Sequence, residues 1–473
     1  MNQVRVDSLQ EIPKQAEDTI AAISTPFGES GIGIVRISGS LAEPILKKLF
    51  KPKAEIVDFV SHHFYYGYLI HPKNGRPIDE VLVVLMRAPK TYTREDILEI
   101  HCHGGYLLLQ KVLELVLAEG ARIAQPGEFT KRAFLHGRID LTQAEAVIDL
   151  IKAKTQENLE IANQQLRGNL YHEMELLREK LIQHLAFLEA HIDFPEEEIE
   201  AIPLSEMKED LHRQIQKLGD WISTYEMGRV FREGVSVAIA GKTNVGKSSL
   251  LNTLLKQDRA IVTPIPGTTR DVIEEVINIY GIPIRLMDTA GLRRAFDSIE
   301  QEGVRRAKER VSDADLVLLI IDGSRVLDED DEAIFQEVDA KKKILVLNKK
   351  DLIQRVKLEE IQRRFPNQSI VPISALKGEG IEELKKSIQQ VLLHQKVRTS
   401  PEHLIVTNIR HKVILEQIKD NLSEVLRLLE EGSSFEFITF EIRSALENLK
   451  ELVGETTTEE VLNRIFSQFC IGK

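Results

Sequence analysis

The sequence predicts three domains: an α+β domain at the N-terminus, an all-α helical-bundle domain that is split in sequence, and an α/β domain inserted between its two halves. Three observations predict this division. Short apolar runs of strand length dominate residues 1–137, and apolar residues at helical spacing dominate 138–231 and 397–473. Between them, strand-like and helix-like segments alternate over residues 232–396.

The first domain contains mostly strand signals. Strands are predicted at 19–25, 31–38, 62–70, 78–86 and 97–103, and helices at 41–50 and 106–119.

The helical halves are recognised by their start signals and their apolar stripe. Thr142 and Glu145 fit a capping box, and so do Thr457 and Glu460 near the C-terminus. Further helices are predicted at 204–227, 413–429 and 437–452. One long bundle helix is predicted from apolar residues spaced three and four apart: Leu170, Met174, Leu177, Leu181, Leu185, Leu188 and Ile192.

The inserted α/β domain has apolar strand runs at 235–240, 272–279, 284–287, 316–321, 344–347 and 370–373. Residues Gly241 to Ser248 fit G-x-x-x-x-G-K-S and lie between a predicted strand and a predicted helix, as a phosphate-binding loop requires. In such a loop, Lys247 reaches the β- and γ-phosphates and Ser248 ligates Mg²⁺. The sequence therefore predicts a nucleotide site.

The base is predicted by a second motif, because phosphate loops bind ATP and GTP alike. Asn348 to Asp351 fit N-K-x-D directly after a strand, and a carboxylate at Asp351 accepts from guanine N1–H and its exocyclic amine, donors that adenine lacks. Ser374 and Ala375 follow the next strand and are expected at the guanine carbonyl. GTP is the predicted nucleotide.

Two further segments are predicted to surround the γ-phosphate. The first segment is Asp288 to Gly291 (D-T-A-G), in which the Asp288 carboxylate is expected to contact Mg²⁺ through water. Thr269, in the other segment, is a second expected Mg²⁺ contact. Leu292 stands where Ras-like GTPases carry their water-positioning Gln. Another group must therefore orient the attacking water, and another cation must replace an arginine finger.

The bulk composition limits the remaining possibilities. The net charge of −12 argues against a general polyanion binder, so any contact with RNA is expected to be local or shared with a partner. The two cysteines suggest no disulfide framework. Since neither a targeting segment nor a membrane span is apparent, a cytoplasmic protein without membrane contact is expected.

Further motifs lie at Asp18 to Pro26, Gly31 to Gly39, His101 to Gly105, Pro126 to Thr130 and the terminal Cys470 to Lys473. Together with the nucleotide motifs, they resemble those of the MnmE (TrmE) family of tRNA modification GTPases over essentially the whole chain. The resemblance implies a Ras-like G domain and GTP or GDP as ligand. The positions expected to contact the nucleotide are Asn244, Val245, Gly246, Lys247, Ser248, Ser249, Thr263, Pro264, Ile265, Pro266, Gly267, Thr268, Thr269, Asp288, Thr289, Ala290, Gly291, Asn348, Lys349, Asp351, Ser374 and Ala375.

The resemblance also indicates which groups replace the water-positioning glutamine and the arginine finger. It implies a K⁺ ion in place of an arginine finger, and oxygen ligands suit such a hard cation. The expected K⁺ ligands are Asn244, Thr263, Ile265 and Thr268, and Glu300 is expected to orient the water. Lys247 completes the expected catalytic groups in the G domain. Cys470, a thiol beside Lys473, is a further candidate nucleophile.

For the N-terminal domain, the resemblance implies homodimerisation and a reduced folate, either 5-formyl- or 5,10-methylene-tetrahydrofolate. The expected folate-binding residues are Arg36, Glu99, Arg138 and Lys473. This chain departs from the family at Arg94, where Gly is usual, and a glycine conformation is unfavourable for Arg.

The function implied by the resemblance is a K⁺-dependent GTPase that, in a heterotetramer with the flavoprotein MnmG, adds an aminomethyl or carboxymethylaminomethyl group to C5 of the wobble uridine, position 34, of certain tRNAs. Two alternatives share the nucleotide motifs. A ribosome-assembly GTPase would carry an RNA-binding module, and a dynamin-like membrane GTPase would carry a lipid-binding segment. Folate binding discriminates among the three.

Overall fold

The computed structural model describes residues 18–26, 28–194, 204–258, 275–288, 313–337, 342–356, 358–365, 368–393 and 404–473. These residues divide into two compact units. One holds the described residues up to Ile148 and those from Val453 onward, and the other holds those from Asp149 to Leu452.

The described residues form both strands and helices, numbered in chain order. The strands are β1 Ile20–Ile23, β2 Ser30–Ser38, β3 Phe50–Pro52, β4 His63–Ile70, β5 Pro77–Met86, β6 Ile97–Gly104, β7 Arg122–Ile123, β8 Val235–Ala240, β9 Glu275–Ile279, β10 Ile282–Asp288, β11 Leu316–Asp322, β12 Lys343–Asn348 and β13 Ser369–Pro372. The helices are α1 Ala42–Leu49, α2 Tyr106–Ala118, α3 Glu128–Leu135, α4 Leu141–Lys152, α5 Gln156–Leu166, α6 Asn169–Asp193, α7 Leu204–Ser223, α8 Tyr225–Glu233, α9 Lys247–Asp258, α10 Glu329–Glu337, α11 Leu358–Arg364, α12 Ile381–Leu393, α13 Ile409–Glu431, α14 Phe435–Val453 and α15 Glu459–Phe466.

The first unit is built on a seven-stranded sheet of order β3-β4-β5-β6-β2-β1-β7. Its strands pair antiparallel except for β1 and β7, which are parallel. Apolar residues of the strands and of helices α1 and α2 form one buried core. The C-terminal α15 packs on α3 and α4 through Phe466, Phe134 and Leu141. The predicted α+β domain is confirmed.

The capping boxes predicted for α4 and α15 are wrong by one or two residues. Asp140 caps α4 from the position before its first residue: its Oδ1 accepts from the Thr142 and Gln143 amides at 2.7 and 3.2 Å, and Gln143 Oε1 accepts from the Asp140 amide at 3.1 Å. At α15 the side chain of Thr458 accepts from the Val461 amide. In both places a polar residue one or two positions earlier or later than predicted caps the helix, and the sequence did not distinguish between the two.

Helices α5 to α8, α13 and α14 provide the described helical part of the second unit. The predicted apolar stripe of α6 is confirmed at Leu170, Met174, Leu177, Leu181 and Leu188. The predicted Leu185 and Ile192 are only partly buried, and His184 is buried instead, with its Nε2 lying 3.2 Å from Oδ2 of Asp210 on α7. The helix predicted at 204–227 is two helices, α7 and α8, separated at Thr224.

The α/β part of the second unit has a six-stranded sheet of order β13-β12-β11-β8-β10-β9. All neighbouring strands are parallel except β9 and β10. Every residue of β8, β11 and β12 is buried, which explains why their sequences are mostly apolar. Since helical segments precede and follow this sheet in sequence, the predicted insertion of an α/β domain into a helical one is confirmed. The predicted boundaries at residues 137, 231 and 396 stay predictions.

Candidate functional sites

The predicted nucleotide motifs meet at the carboxyl edge of the six-stranded sheet. The phosphate loop follows β8, and the N-K-x-D motif begins at the last residue of β12. Asp288 ends β10 opposite Ile239, near the end of β8. Because parallel strands place their carboxyl ends along one edge, segments far apart in sequence come together there.

The phosphate loop has two positions that only glycine fits. Gly241 has a φ of 140°, and a Cβ there would lie 2.5 Å from the Ile320 carbonyl oxygen. Gly246 has a φ of 103°, and a Cβ there would lie 2.1 Å from Asn348 Nδ2. Both positions combine a left-handed backbone with close neighbours, so the loop retains a backbone surface on which phosphate oxygens can be bound.

The charged and polar groups of this loop are placed at the start of α9. Lys247, the first residue of that helix, donates from Nζ to the carbonyl oxygens of Gly241 and Lys242 at 2.5 and 2.7 Å. Ser248 and Ser249 are in the first turn, where helix amides favour an anion. Asn244 is exposed and adopts φ 63°, a conformation that Asn tolerates better than most residues.

Asn348 joins three of the predicted segments. Its Nδ2 donates to the Val245 carbonyl oxygen at 2.7 Å, and its Oδ1 accepts from the Ala375 amide at 2.9 Å. The side chain is buried, with 3% of the residue exposed. Asn348 therefore fixes the phosphate loop relative to the segment after β13.

Asp351 is prepared to accept hydrogen bonds. The Ser374 hydroxyl donates to Asp351 Oδ1 at 2.7 Å, and this bond lowers the pKa of Asp351. The neighbouring Lys349 has φ 67° and pairs with Asp322 Oδ2 at 2.6 Å. An ionised Asp351 in this loop has the acceptor geometry and charge expected for recognition of guanine.

Several predicted residues lie outside the described part of the chain. These are Thr263, Pro264, Ile265, Pro266, Gly267, Thr268, Thr269, Thr289, Ala290, Gly291 and Glu300, and only the backbone of Asp288 is described. Their roles stay predictions.

A second cluster of charged residues lies on the seven-stranded sheet. Arg36 of β2 and Glu99 of β6 are directly opposite in register, and the guanidinium pairs with Glu99 Oε1 at 2.7 Å. His101 contacts Glu99 Oε2 at 3.2 Å. The hydrogen bond with His101 lowers the pKa of Glu99, and the charge of Arg36 adds to this lowering. Glu99 is therefore an ionised acceptor.

Arg138 and Lys473, the other predicted folate residues, join this cluster. The Arg138 guanidinium stacks 4.7 Å from the Tyr92 ring, and Arg36 lies 6.0 Å from the same ring. Burial lowers the pKa of Lys473, and the positive charge of Arg36 lowers it further, while Glu99 opposes this effect. The four residues predicted from distant parts of the sequence thus surround one region of the first unit.

The C-terminal tail is fixed to this unit by its backbone. The Gly127 amide donates to the Cys470 carbonyl at 3.4 Å, and Ser24 Oγ donates to the Gly472 carbonyl at 3.3 Å. Gly472 has φ 99°, and a Cβ there would lie 2.5 Å from the Ile23 carbonyl oxygen. These contacts place Lys473, while the thiol-bearing residue Cys470 is exposed and Cys102 is buried in the core.

Sequence reasoning did not assign three residues at these sites. Tyr92 and Phe129 supply aromatic faces to Arg36, and His101 contacts Glu99. The alternation of side chains along the predicted strand could have indicated His101, since it lies two positions from Glu99 and hence on the same face. Tyr92 lies in a loop and Phe129 in a helix. No periodicity of the sequence relates either residue to the strands that carry the cluster.

Arg94 adopts the left-handed conformation expected of a glycine, with φ 61°. Its Nη1 donates to the His136 carbonyl oxygen at 2.7 Å, which offsets part of the backbone cost. Arg94→Ala retains that cost and removes the hydrogen bond. We therefore expect Arg94→Gly to be more stable than Arg94→Ala by about 1 kcal/mol in urea unfolding.

A matched pair at Arg443 is the control, since it is an exposed residue within α14. There Ala should be more stable than Gly by about 1 kcal/mol. If Ala is also the more stable residue at position 94, the conformation assigned to Arg94 is wrong.

Comparisons with known proteins cover nearly the whole chain. A family model described as "MnmE helical domain" matches residues 141–470, and one described as "GTP-binding protein TrmE N-terminus" matches residues 19–138. A "tRNA modification GTPase MnmE" of Geobacter sulfurreducens is 50% identical over 97% of this chain and 99% of its own length. One of the same name from Syntrophus aciditrophicus is 49% identical over 97% and 100%.

Among solved structures, the G domain of the T. maritima FeoB iron transporter is 32% identical over 33% of this chain and 98% of its own, with a TM-score of 0.26. That superposition carries no inference about this chain.

Proposed function

The chain belongs to the MnmE family of tRNA modification GTPases, and we propose that it hydrolyses GTP in modifying C5 of the wobble uridine, position 34, of certain tRNAs. The family relationship over nearly the full length carries this proposal. The joined phosphate loop, N-K-x-D motif and Ser374–Ala375 segment support its GTPase part. The group added is an aminomethyl or carboxymethylaminomethyl group.

The described residues fit GTP in two separate ways. The glycine positions of the loop leave backbone amides accessible, and Lys247 begins the helix whose first turn favours phosphate. Asp351 presents an ionised acceptor, for which guanine offers two donors. Ser248 would hold Mg²⁺ together with Thr269, which would neutralise phosphate charge.

We further propose that K⁺ supplies the positive charge that other GTPases take from an arginine finger. Asn244 is exposed on the phosphate loop in a left-handed conformation, and its side-chain oxygen suits a hard cation. Thr263, Ile265 and Thr268 would complete the site.

Replacing K⁺ with Na⁺ at equal ionic strength is expected to reduce GTP turnover by at least roughly 10-fold, because the smaller ion fits the same oxygen ligands poorly. Steady-state phosphate release at a series of concentrations of each salt measures this. Asn244→Ala should remove most of the difference between the salts. Equal turnover in K⁺ and Na⁺ would exclude a K⁺ site.

Glu300→Ala is expected to retain GTP affinity and to lose turnover by roughly 100-fold, since a group that orients or activates water contributes about that much. Single-turnover hydrolysis together with binding of a fluorescent GTP analogue separates the two effects. Glu329→Ala, at the start of α10, is the control and should turn over normally. Undiminished hydrolysis by the Glu300 variant would refute its role.

The cluster on the seven-stranded sheet fits a reduced folate. Arg36, Arg138 and Lys473 offer cations for glutamyl carboxylates, and Glu99 is an ionised acceptor for the amino and N–H groups of a pterin. A bound 5-formyl- or 5,10-methylene-tetrahydrofolate would supply the one-carbon unit. The chain's own residues would bind and orient it.

Equilibrium dialysis with 5-formyl-tetrahydrofolate tests this part of the proposal. The wild-type chain should bind it, and Glu99→Gln should bind it more weakly because the replacement carries no charge and one fewer acceptor. Absence of uptake by the wild type would refute the folate site while leaving the GTPase proposal standing. Ribosome-assembly and dynamin-like GTPases are not expected to bind a folate.

We propose that the chain acts as a homodimer and that it works in a heterotetramer with the flavoprotein MnmG. That partner would supply the redox chemistry. The two proteins would share contact with tRNA in the cytoplasm. The net charge of −12 favours shared over independent binding of tRNA. Among the described helices, none has the length and apolar character needed to cross a bilayer.

A further inference from the structure

Tyr92 lies close to two arginines of the proposed folate site. The Arg138 guanidinium carbon is 4.7 Å from the centre of the Tyr92 ring, and that of Arg36 is 6.0 Å from it. Both distances fall within the range in which an aromatic face attracts a cation. Arg36 is also 5.8 Å from the Phe129 ring and is paired with Glu99.

The Tyr92 ring itself is held in place. Its hydroxyl lies 2.9 Å from Thr130 Oγ1 on α3, and its apolar part packs on the buried residues Ile20, Ala22, Ala124 and Phe129. The ring is therefore a rigid platform whose position does not depend on either arginine.

Arg138 is an exposed residue and depends on this platform. Its guanidinium stacks on the Tyr92 ring, and its Nη1 donates to the Tyr92 carbonyl oxygen at 3.2 Å. Within the described part of the chain, this guanidinium makes both its ring contact and its hydrogen bond with Tyr92. A long exposed side chain otherwise samples many rotamers, and ordering it on binding would reduce affinity.

We propose that Tyr92 is a positioning residue, which holds Arg138 and Arg36 in the arrangement that receives a carboxylate-bearing reduced folate. This inference rests on the proposed folate site. It assigns part of the affinity of that site to an aromatic side chain that need not contact the ligand. The main-chain bond to Arg138 survives substitution of Tyr92, whereas the ring contact does not.

Binding of 5-formyl-tetrahydrofolate to full-length variants tests the role of the ring. Tyr92→Leu retains apolar packing but removes the aromatic face, and should weaken binding by roughly 10-fold. Tyr92→Phe retains the face and should bind within about 3-fold of the wild type. In an Arg138→Met background, Tyr92→Leu should weaken folate binding by less than about 3-fold, because the guanidinium that the ring holds is absent. Thermal unfolding midpoints check that each variant is folded.

A second measurement does not require folate. The order parameter of the Arg138 Nε–H group, from ¹⁵N relaxation of the ligand-free protein, should fall in Tyr92→Leu and stay unchanged in Tyr92→Phe. An Arg138 order parameter that is unchanged in both variants would overturn the positioning role. A loss of folate affinity on Tyr92→Leu that is equal with and without Arg138 would also overturn it. If the wild type fails to bind folate, the proposed site is wrong, and the relaxation data still decide whether Tyr92 holds Arg138.

Discussion

Asp351→Asn is expected to weaken GTP binding by roughly 1,000-fold and to allow binding of xanthosine triphosphate. In the wild type, an ionised carboxylate held by the Ser374 hydroxyl at 2.7 Å is placed to accept from the two guanine donors. An asparagine amide presents a donor to one of them and carries no charge. Xanthine has a carbonyl in place of the exocyclic amine, and that carbonyl can accept from the new amide.

Isothermal titration of both nucleotides into the wild type and the variant measures this exchange. Ser374→Ala is the control: it removes the hydroxyl but leaves the carboxylate, and should weaken GTP binding by only about 10-fold. An Asp351→Asn protein that binds GTP as the wild type does would show that the N-K-x-D segment does not select the base.

Lys247→Ala is expected to lower the rate of GTP hydrolysis by roughly 1,000-fold, since the preorganised cation at the β- and γ-phosphates would be lost. The Lys247 ammonium is anchored by two loop carbonyls, so its position is set before nucleotide binds. Its removal should affect turnover more strongly than GDP affinity, because charge on the transferring phosphoryl group is greatest during reaction.

Single-turnover hydrolysis with GTP and titration with GDP separate these effects. Lys256, in the last turn of the same helix, provides a matched control. Lys256→Ala should hydrolyse GTP within about 2-fold of the wild type, because surface charges outside the site contribute little. A Lys247→Ala protein with normal turnover would remove the phosphate loop from the proposed mechanism.

Elements governed by local pattern were predictable from the sequence. The buried run Val235–Ala240 and the stripe of α6 were located because periodicity and burial agree in them. The capping boxes were misplaced because neighbouring polar residues, such as Asp140 and Thr142, can each begin a helix. Tertiary contacts decide between such residues.

The sites show the same limit. Motifs identified Asn348 and Asp351, but they did not reveal that Asn348 joins the phosphate loop to Ala375. The family resemblance placed Arg36, Glu99, Arg138 and Lys473 in one site, yet the aromatic ring that orders the arginines came only from the structure. Contacts between a loop side chain and residues distant in sequence have no periodic signature.

The most direct measurement is mass spectrometry of the wobble nucleosides of tRNA from a strain whose gene for this chain is deleted. The proposed function predicts that uridine 34 of certain tRNAs loses its C5 aminomethyl-type group in that strain. The wild-type gene should restore the group, and the Asp351→Asn and Lys247→Ala genes should not. Wobble nucleosides unchanged by the deletion would contradict the proposed function.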